Sequence, residues 1–342
     1  MRPTLLRTFV LGILIATLMV PVGALQALAQ EKQQKPLEPD TQAAIVVDVP
    51  LVNVDVVVTD NRGTFITGLQ KSNFRVLEDG VPQSVTNFAP TDAPITIVMV
   101  VEFSRLAYGY FAYQTTEWAY GFLNQLKKED WVALVTFDLK SRIEVDFTRN
   151  KHEVQQQLNR MYFPSFSEAS LFGAVVDTLE QMKDVKGKKA MLILASGFDT
   201  GLGKYTLDDA LKACRQTDVT IFSVGVGRDF IERYGLDNVN YLQAQNQMGA
   251  FARFTGGRAW FPRFQGELPG IFQDVGGHLR SQYSLGYVPA NQKRDGKLRK
   301  IKVELVDENG SPLVVIDQNK KKVKYQVYAR EGYVVPKAGV GD

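Results

Sequence analysis

Residues 95–106 read Ile-Thr-Ile-Val-Met-Val-Val-Glu-Phe-Ser-Arg-Leu, and this stretch decides the fold class. Its apolar run predicts a strand that is covered on both faces, as strands of a parallel sheet are. A carboxylate, Glu102, and a hydroxyl, Ser104, stand where the strand ends. Because ligands of doubly wound sheets bind at the carboxyl ends of the strands, these two side chains are the first candidates for a functional site.

Strand-like and helix-like segments alternate from about residue 94 to residue 281, which predicts an α/β, doubly wound, mostly parallel sheet. The alternating segment at 142–147 is predicted to be its edge strand. The other strands are predicted at 95–102, 131–137, 190–195, 219–226 and 258–261. Helices are predicted at about 107–127, 150–160, 169–184, 206–217, 240–254 and 266–281.

The segments on either side of this unit are predicted to be β-structure. Alternation places Val52, Val54, Val56 and Val58 on one face of a strand. After the αβ unit, strands are predicted at 283–288, 298–306 and 325–333. Each segment alone offers about three strands, too few to bury both faces of a sheet, so we expect one β-sandwich built from both. Two separate β lobes are the competing arrangement.

The N-terminus has the pattern of a secretory signal: basic residues, a short apolar run, and Ala27-Leu28-Ala29 as a cleavage site. We expect a periplasmic or extracellular protein, with an uncleaved membrane anchor as the alternative. The predicted organisation is a signal peptide at 1–29, a linker at 30–43, a first β-sandwich segment at 44–93, the αβ domain at 94–281, a second β-sandwich segment at 282–335 and a tail at 336–342.

Charge and cysteine content give no sign of a nucleic-acid-binding protein or of one stabilised by internal disulfides. Loss of the signal removes two arginines and no acid, which lowers the net charge from +3 to +1. This balance gives no reason to expect binding to nucleic acid. Cys214 is the only cysteine, so the chain has no internal disulfide, and its place in a predicted helix favours a small buried residue.

Three short stretches carry a resemblance to a known family. They are Glu102-Phe103-Ser104, the run Ala169-Ser170-Leu171-Phe172-Gly173-Ala174, and Leu192-Ile193-Leu194-Ala195-Ser196-Gly197. Together they resemble the von Willebrand factor A domain over roughly 94–261. The whole mature chain is similar to von Willebrand factor A-related proteins typical of Acidobacteria, through Thr255-Gly256-Gly257, residues 279–289 and Ala329-Arg330-Glu331-Gly332-Tyr333.

The resemblance implies a metal-ion-dependent adhesion site that this chain has partly lost. The family's ligands are an Asp, two Ser, a Thr and a further Asp. The matching positions here are Glu102, Ser104, Leu106, Ala169 and Ser196. Mg²⁺ prefers hard oxygen ligands in near-octahedral geometry, and only Glu102, Ser104 and Ser196 still offer side-chain oxygens. We therefore expect no bound cofactor, with a residual Mg²⁺ site as the alternative.

Aromatic residues surround the same loops and are candidates for partner binding. They are Phe103, Tyr108, Tyr110, Phe166 and Phe198. Exposed aromatic side chains supply the large rigid contacts that dominate protein interfaces. Packing at helix–loop junctions is the competing explanation for them.

These observations favour an exported, non-enzymatic protein that binds a protein partner, whose identity the sequence does not give. Membrane association is expected only through export or a retained N-terminal anchor. The alternatives are a structural component of envelope assembly with a passive αβ domain, Mg²⁺-dependent binding through the residual site, and a hydrolase with an unrecognised site. His152 and His278 lie among polar neighbours in sequence and are expected to be solvated or to cap helices.

Overall fold

The computed structural model describes residues 51–90, 93–105, 107, 120–161, 164, 166–227, 230, 232, 235, 238–316 and 321–337. The predicted signal, the linker and most of the predicted helix at 107–127 lie outside these ranges. Of that predicted helix, residues 107 and 120–123 are described and helical, whereas residues 124–127 are not helical.

The αβ unit is built on a six-stranded sheet. Its strands are β5 (Ile95–Glu102), β6 (Trp131–Phe137), β7 (Ser141–Thr148), β8 (Lys188–Leu194), β9 (Thr220–Val224) and β10 (Ala259–Trp260). Their order is β10-β9-β8-β5-β6-β7, and every neighbouring pair is parallel except β6 and β7. The predicted fold class is confirmed, and β7 is the edge strand as predicted.

Helices of the αβ unit cover both faces of this sheet. They are α1 (Lys151–Arg160), α2 (Leu171–Met182), α3 (Leu207–Gln216), α4 (Asn238–Thr255) and α5 (Leu268–Arg280). Alternate residues of β5 enter two separate cores: Ile97 and Met99 enter one, and Val98 and Val100 the other. Burying an aliphatic side chain of this size stabilises a fold by about 1.5–3 kcal/mol, which is why this run fixes β5 inside the sheet.

The flanking segments form two four-stranded antiparallel sheets. Their strands are β1 (Val52–Asp60), β2 (Phe74–Glu78), β3 (Val81–Gln83), β4 (Val85–Pro90), β11 (Gln282–Tyr287), β12 (Leu298–Leu305), β15 (Tyr325–Ala329) and β16 (Gly332–Val334). The orders are β15-β1-β11-β4 and β16-β12-β2-β3. A small separate hairpin pairs β13 (Val315–Ile316) with β14 (Lys322–Val323). Each four-stranded sheet contains strands from both flanking segments, as predicted for one β domain.

A third core lies between these two sheets. Val52, Val54, Val56 and Val58 all enter it, which confirms the predicted apolar face of β1. The buried carboxylate of Glu78 accepts a hydrogen bond of 2.7 Å from the Tyr287 hydroxyl. Residues from both segments therefore share one core, which the sequence predicted. The boundaries assigned to the domains stay predictions.

The predicted single strand at 325–333 is wrong. It is two strands, β15 and β16, which belong to different sheets. Residues Arg330 and Glu331 connect them, so the chain crosses between sheets where the sequence pattern looked continuous. Apolar alternation reports which face of a sheet a residue occupies, but it does not report a change of sheet.

The prediction that His278 is solvated or caps a helix is also wrong. Its side chain is buried on α5, with ring-centroid distances of 5.0 Å to Phe65, 5.4 Å to Trp260 and 5.4 Å to Tyr328. Polar neighbours along α5 concealed this, because the aromatic residues come from distant regions of the chain.

His152 is exposed, as predicted. Cys214 is buried, which confirms that prediction, and this burial raises the pKa of its thiol to about 12.

Candidate functional site

The candidate site lies where β5 and its neighbour β8 end. Glu102 is the last residue of β5, and Ser196 follows β8 by two residues. From β5 the chain proceeds first to β6 on one side and later to β8 on the other, so the site lies at a topological switch point. Crevices at such points are the usual binding places of doubly wound sheets.

Glu102, Ser104 and Ser196 form one buried hydrogen-bonded network. The Ser104 hydroxyl donates to Glu102 Oε1 at 2.6 Å. Glu102 Oε2 accepts from the Ser196 hydroxyl at 2.7 Å and from the Ser196 backbone N–H at 2.6 Å. The three predicted metal-site residues are therefore brought together, but they bind one another.

The two hydroxyl oxygens also accept hydrogen bonds. Ser104 Oγ accepts from the Ala107 backbone N–H at 3.2 Å, and Ser196 Oγ accepts from the Phe198 N–H at 3.3 Å. The network thus fixes both loops that follow the strands. Burial raises the pKa of Glu102 in spite of its three donors, and the nearby charge of Asp199 adds to that rise.

Asp199 does not replace the missing acid of the family's ligand set. Its carboxylate accepts from the Phe172 backbone N–H at 2.9 Å at the start of α2, and from the Gly201 N–H at 2.8 Å. A carboxylate at a helix N-terminus satisfies free backbone donors and interacts favourably with the helix dipole. Asp199 therefore has a sufficient structural role.

These residues fit a divalent cation poorly. The network supplies one carboxylate, and both of its oxygens already accept hydrogen bonds. Ala169 has no side-chain oxygen, and its carbonyl accepts from Thr200 N at 2.9 Å and Thr200 Oγ1 at 3.0 Å. Within the described ranges, no group of three His, Cys, Asp or Glu side chains is arranged to hold a metal ion. Leu106 lies outside those ranges. The chemistry of the remaining donors does not match an octahedral Mg²⁺ site.

The loops around this network expose apolar side chains. Phe166 is 47% exposed, and its carbonyl accepts from the Arg105 backbone N–H at 2.8 Å, directly after the network. Phe103 is half-buried, and Phe198 is half-buried and packs against the core. Tyr108 and Tyr110, the other predicted partner-binding residues, lie outside the described residues.

Sequence reasoning missed Leu202, which is 68% exposed in the loop after Ser196. The only indication in the sequence was that a single apolar residue stands between two glycines, Gly201 and Gly203. A separate apolar groove lies between α3 and α4, and Leu211 and the exposed Leu242 line it. Contiguous exposed apolar surface is a mark of protein-binding sites.

In the portion of the chain that the structure describes, no helix has the length and apolar character needed to cross a membrane.

Comparison with known proteins places the αβ unit in a family. Residues 96–245 match the model of the von Willebrand factor type A domain. None of the curated proteins matches the chain.

Several solved structures are similar to this chain. The conserved hypothetical protein BatB from Bacteroides thetaiotaomicron is 13% identical, covering 55% of this chain and 100% of its own, with a TM-score of 0.42. A von Willebrand factor type A protein from Catenulispora acidiphila is 9% identical, covering 86% and 76%, with a TM-score of 0.44. The vWF domain of the type V pili tip protein Mfa5 from Porphyromonas gingivalis is 11% identical, covering 55% and 95%, with a TM-score of 0.41.

The narrower resemblance to acidobacterial proteins stays a prediction. The match over residues 96–245, together with the six-stranded, mostly parallel sheet and its covering helices, shows that this part of the chain is a von Willebrand factor A-type domain.

Proposed function

We propose that this protein is an exported, non-enzymatic binding protein, and that it holds a protein partner without a divalent ion. Von Willebrand factor A domains generally mediate binding rather than catalysis, so a protein-interaction or adhesion role is the family's expectation. The observation that carries the proposal is the closed Glu102 network beside exposed apolar loops. The surface of Phe166 and Leu202 is called the apical surface below.

The apical surface suits a protein partner on energetic grounds. Phe166 and Leu202 each present a large apolar group, and covering one such side chain contributes about 1.5–3 kcal/mol. A few anchors of this kind carry most of the affinity of a typical interface. Because the nearby acid is already satisfied within the protein, a partner does not need to bring a carboxylate to complete a metal's coordination.

The test is affinity purification from envelope extract with crosslinking and mass spectrometry. The matched variants are Phe166→Ala and Leu202→Ala on the apical surface and Ile316→Ala, an equally exposed residue on β13. We expect the first two to lose the captured partner and the third to retain it. Tyr108→Ala and Tyr110→Ala test the remaining predicted residues in the same assay.

Two outcomes would support the competing functions instead. If Ile316→Ala abolishes capture while the apical variants retain it, the β domain mediates assembly and the αβ domain is a passive scaffold. If EDTA abolishes capture and Mg²⁺ restores it, binding depends on a residual adhesion site.

Export is a separate element of the proposal and has its own test. The Ala27-Leu28-Ala29 sequence predicts a cleavage site, after which the mature chain begins near Gln30. N-terminal sequencing of the protein from envelope and medium fractions should find this start. Retention of residues 1–29 would favour the anchored alternative.

A further inference from the structure

A polar cleft of about 450 Å³ lies at the end of the αβ sheet opposite to the Glu102 network. One wall is formed where β8 and β9 begin, and the other is the sheet that contains β1 and β11. The charged side chains that line it are Asp55, Lys188, Lys189, Asp218 and Arg330, and the hydroxyls that line it include that of Ser284.

Strand register explains how three of these residues meet. Asp55 on β1 is paired with Ser284 on β11, and the Ser284 hydroxyl hydrogen-bonds to the Asp55 carboxylate. On the other side of β1, Val56 is paired with Ala329, so Arg330 comes next to Asp55. Arg330 directly follows β15, where the chain crosses from this sheet to β16. Its side chain lines the cleft.

The opposite wall supplies two lysines. Lys189 Nζ is 2.6 Å from Asp218 Oδ1 and is therefore paired. Lys188 Nζ instead donates to the Leu279 carbonyl at 2.5 Å, which is a neutral acceptor. The positive charge of Lys188 is therefore not paired with an acid in the described part of the chain.

Three charges in the cleft lack ion pairs. Among the described residues, no opposite charge lies within 4.0 Å of Asp55, Lys188 or Arg330. Arg330 donates from Nε to the Gly332 carbonyl at 3.0 Å and from Nη2 to the Arg215 carbonyl at 3.5 Å. Its Nη1 has no acceptor among the residues that the structure describes. Desolvated charges of this kind are costly unless a partner or a ligand compensates them.

The pKa shifts agree with this geometry. Burial raises the pKa of Asp55, although Lys188 and Arg330 oppose that rise. Burial lowers the pKa of Lys188 to about 8. Each shift favours the neutral form, which indicates that the protein alone does not satisfy these charges.

We propose that this cleft binds a free acidic amino acid, a small ligand with one ammonium group and two carboxylates. The lining contains three cations and two carboxylates, a net charge of +1 that such a ligand neutralises. One ligand carboxylate binds Arg330 Nη1, the second binds Lys188, and the ammonium group binds Asp55. Charge-assisted hydrogen bonds of this type are about twice as strong as neutral ones. The proposal is independent of the apical surface.

The experiment is calorimetric titration of the full chain with L-glutamate and with glutarate, which has the same two carboxylates and no ammonium group. We expect glutamate to bind at least tenfold more tightly than glutarate. Arg330→Gln should weaken glutamate binding tenfold or more, and Asp55→Asn should remove the preference for glutamate. Arg263→Gln, an exposed arginine outside the cleft, makes the same change of net charge and should have no effect.

Each contrary result overturns the proposal. No binding of either compound at millimolar concentration means that the cleft holds water only. Equal affinity for glutamate and glutarate means that it is a simple anion site. If Arg330→Gln fails to fold by circular dichroism, Lys188→Gln provides the second test, and unchanged glutamate affinity in that variant overturns the assignment.

Discussion

Glu102 shows how one extra methylene changes a site. Its carboxylate reaches Ser196, 94 residues further along the chain, at the position where the family has its last acid. A shorter Asp and a second Asp would leave oxygens free for a cation. Here one longer acid and two hydroxyls complete each other's hydrogen bonds, so the protein itself occupies the space between the loops.

We predict that Mg²⁺ does not stabilise the fold. Thermal unfolding midpoints in millimolar Mg²⁺ and in EDTA should be nearly equal, because the donors of the Glu102 network are already paired. An ion present at 100 times its dissociation constant would add about 2.7 kcal/mol, which is easily detected. A rise of several degrees with Mg²⁺ that disappears in Glu102→Ala would contradict the prediction.

His278 gives a second prediction, on pH. Burial lowers its pKa to about 4 from an ordinary value of 6.5; the nearby Arg258 charge also lowers it, while the Asp274 carbonyl and charge oppose the shift. The unfolded chain therefore binds the proton more readily between these two values. Stability from this residue is fully present above pH 6.5 and is lost as the pH falls towards 4, by roughly 3 kcal/mol.

Denaturant unfolding at pH 7 and pH 4 measures this effect against matched variants. His278→Phe keeps an aromatic ring in contact with Phe65, Trp260 and Tyr328, an arrangement called the aromatic box of His278 below. Because phenylalanine does not titrate, the stability of this variant should depend less on pH. The exposed His152→Gln should keep the wild-type dependence. An identical pH dependence in wild type and His278→Phe would show that His278 does not contribute.

The sequence could predict single positions only where neighbours along the chain define them. Glu102 and Ser104 are close in sequence, and the resemblance supplied Ser196. The aromatic box of His278 and the charged cleft could not be predicted, since their members come from separate strands and helices. Pairing between β1 and β11 brings Asp55 to Ser284 across more than two hundred residues.

At the scale of elements, strands with continuous or alternating apolar residues were predictable and their connections were not. β5 and β1 have the predicted faces because their side-chain periodicity is set by burial. The crossing of the chain from β15 to β16 was missed, since it occurs at polar residues within one apparent strand. The motif Thr255-Gly256-Gly257 is explained only by the structure, which shows it between α4 and β10, packed against β9.

This junction requires glycine. Thr255 Oγ1 accepts a hydrogen bond of 2.9 Å from the Ile221 backbone N–H, and Gly257 lies against the same strand. A Cβ at Gly257 would stand 1.9 Å from the Ile221 carbonyl oxygen. Since that oxygen belongs to the backbone of a buried strand, the contact cannot be relieved by a rotamer change.

We predict that Gly257→Ala destabilises the protein by about 1–3 kcal/mol or more, the usual cost of overpacking. Gly249→Ala is the matched control, because it lies within α4 with no atom near the added Cβ. That variant should be neutral or more stable by up to about 1 kcal/mol, since alanine favours helix. Equal unfolding midpoints for the two variants would show that the close approach of Gly257 to β9 is not required.

At the scale of the whole molecule, the αβ unit is inserted in the middle of a β domain. β4 ends at Pro90 and β11 begins at Gln282, and these two strands are paired with each other. The sequence predicted this arrangement from a count of strands, because neither segment had enough of them to bury a sheet. It could not predict the order of the strands, which depends on contacts between segments far apart in the chain.

The final prediction concerns the dependence of the first β segment on the second. β1 is hydrogen-bonded on one side to β11 and on the other to β15, so removal of residues 283–342 takes away β15 and all but the first residue of β11. The apolar face of Val54, Val56 and Val58 would then lose its core, and hydrogen exchange should show loss of protection over residues 52–60.

A chain ending at Lys337 keeps every described strand and should retain full protection. In the shortened protein, residues 97–101 of β5 should stay protected, because β6 and β8 flank that strand within the αβ unit. If residues 52–60 keep their protection without residues 283–342, then the first segment is stable by itself and the two segments do not depend on one shared core.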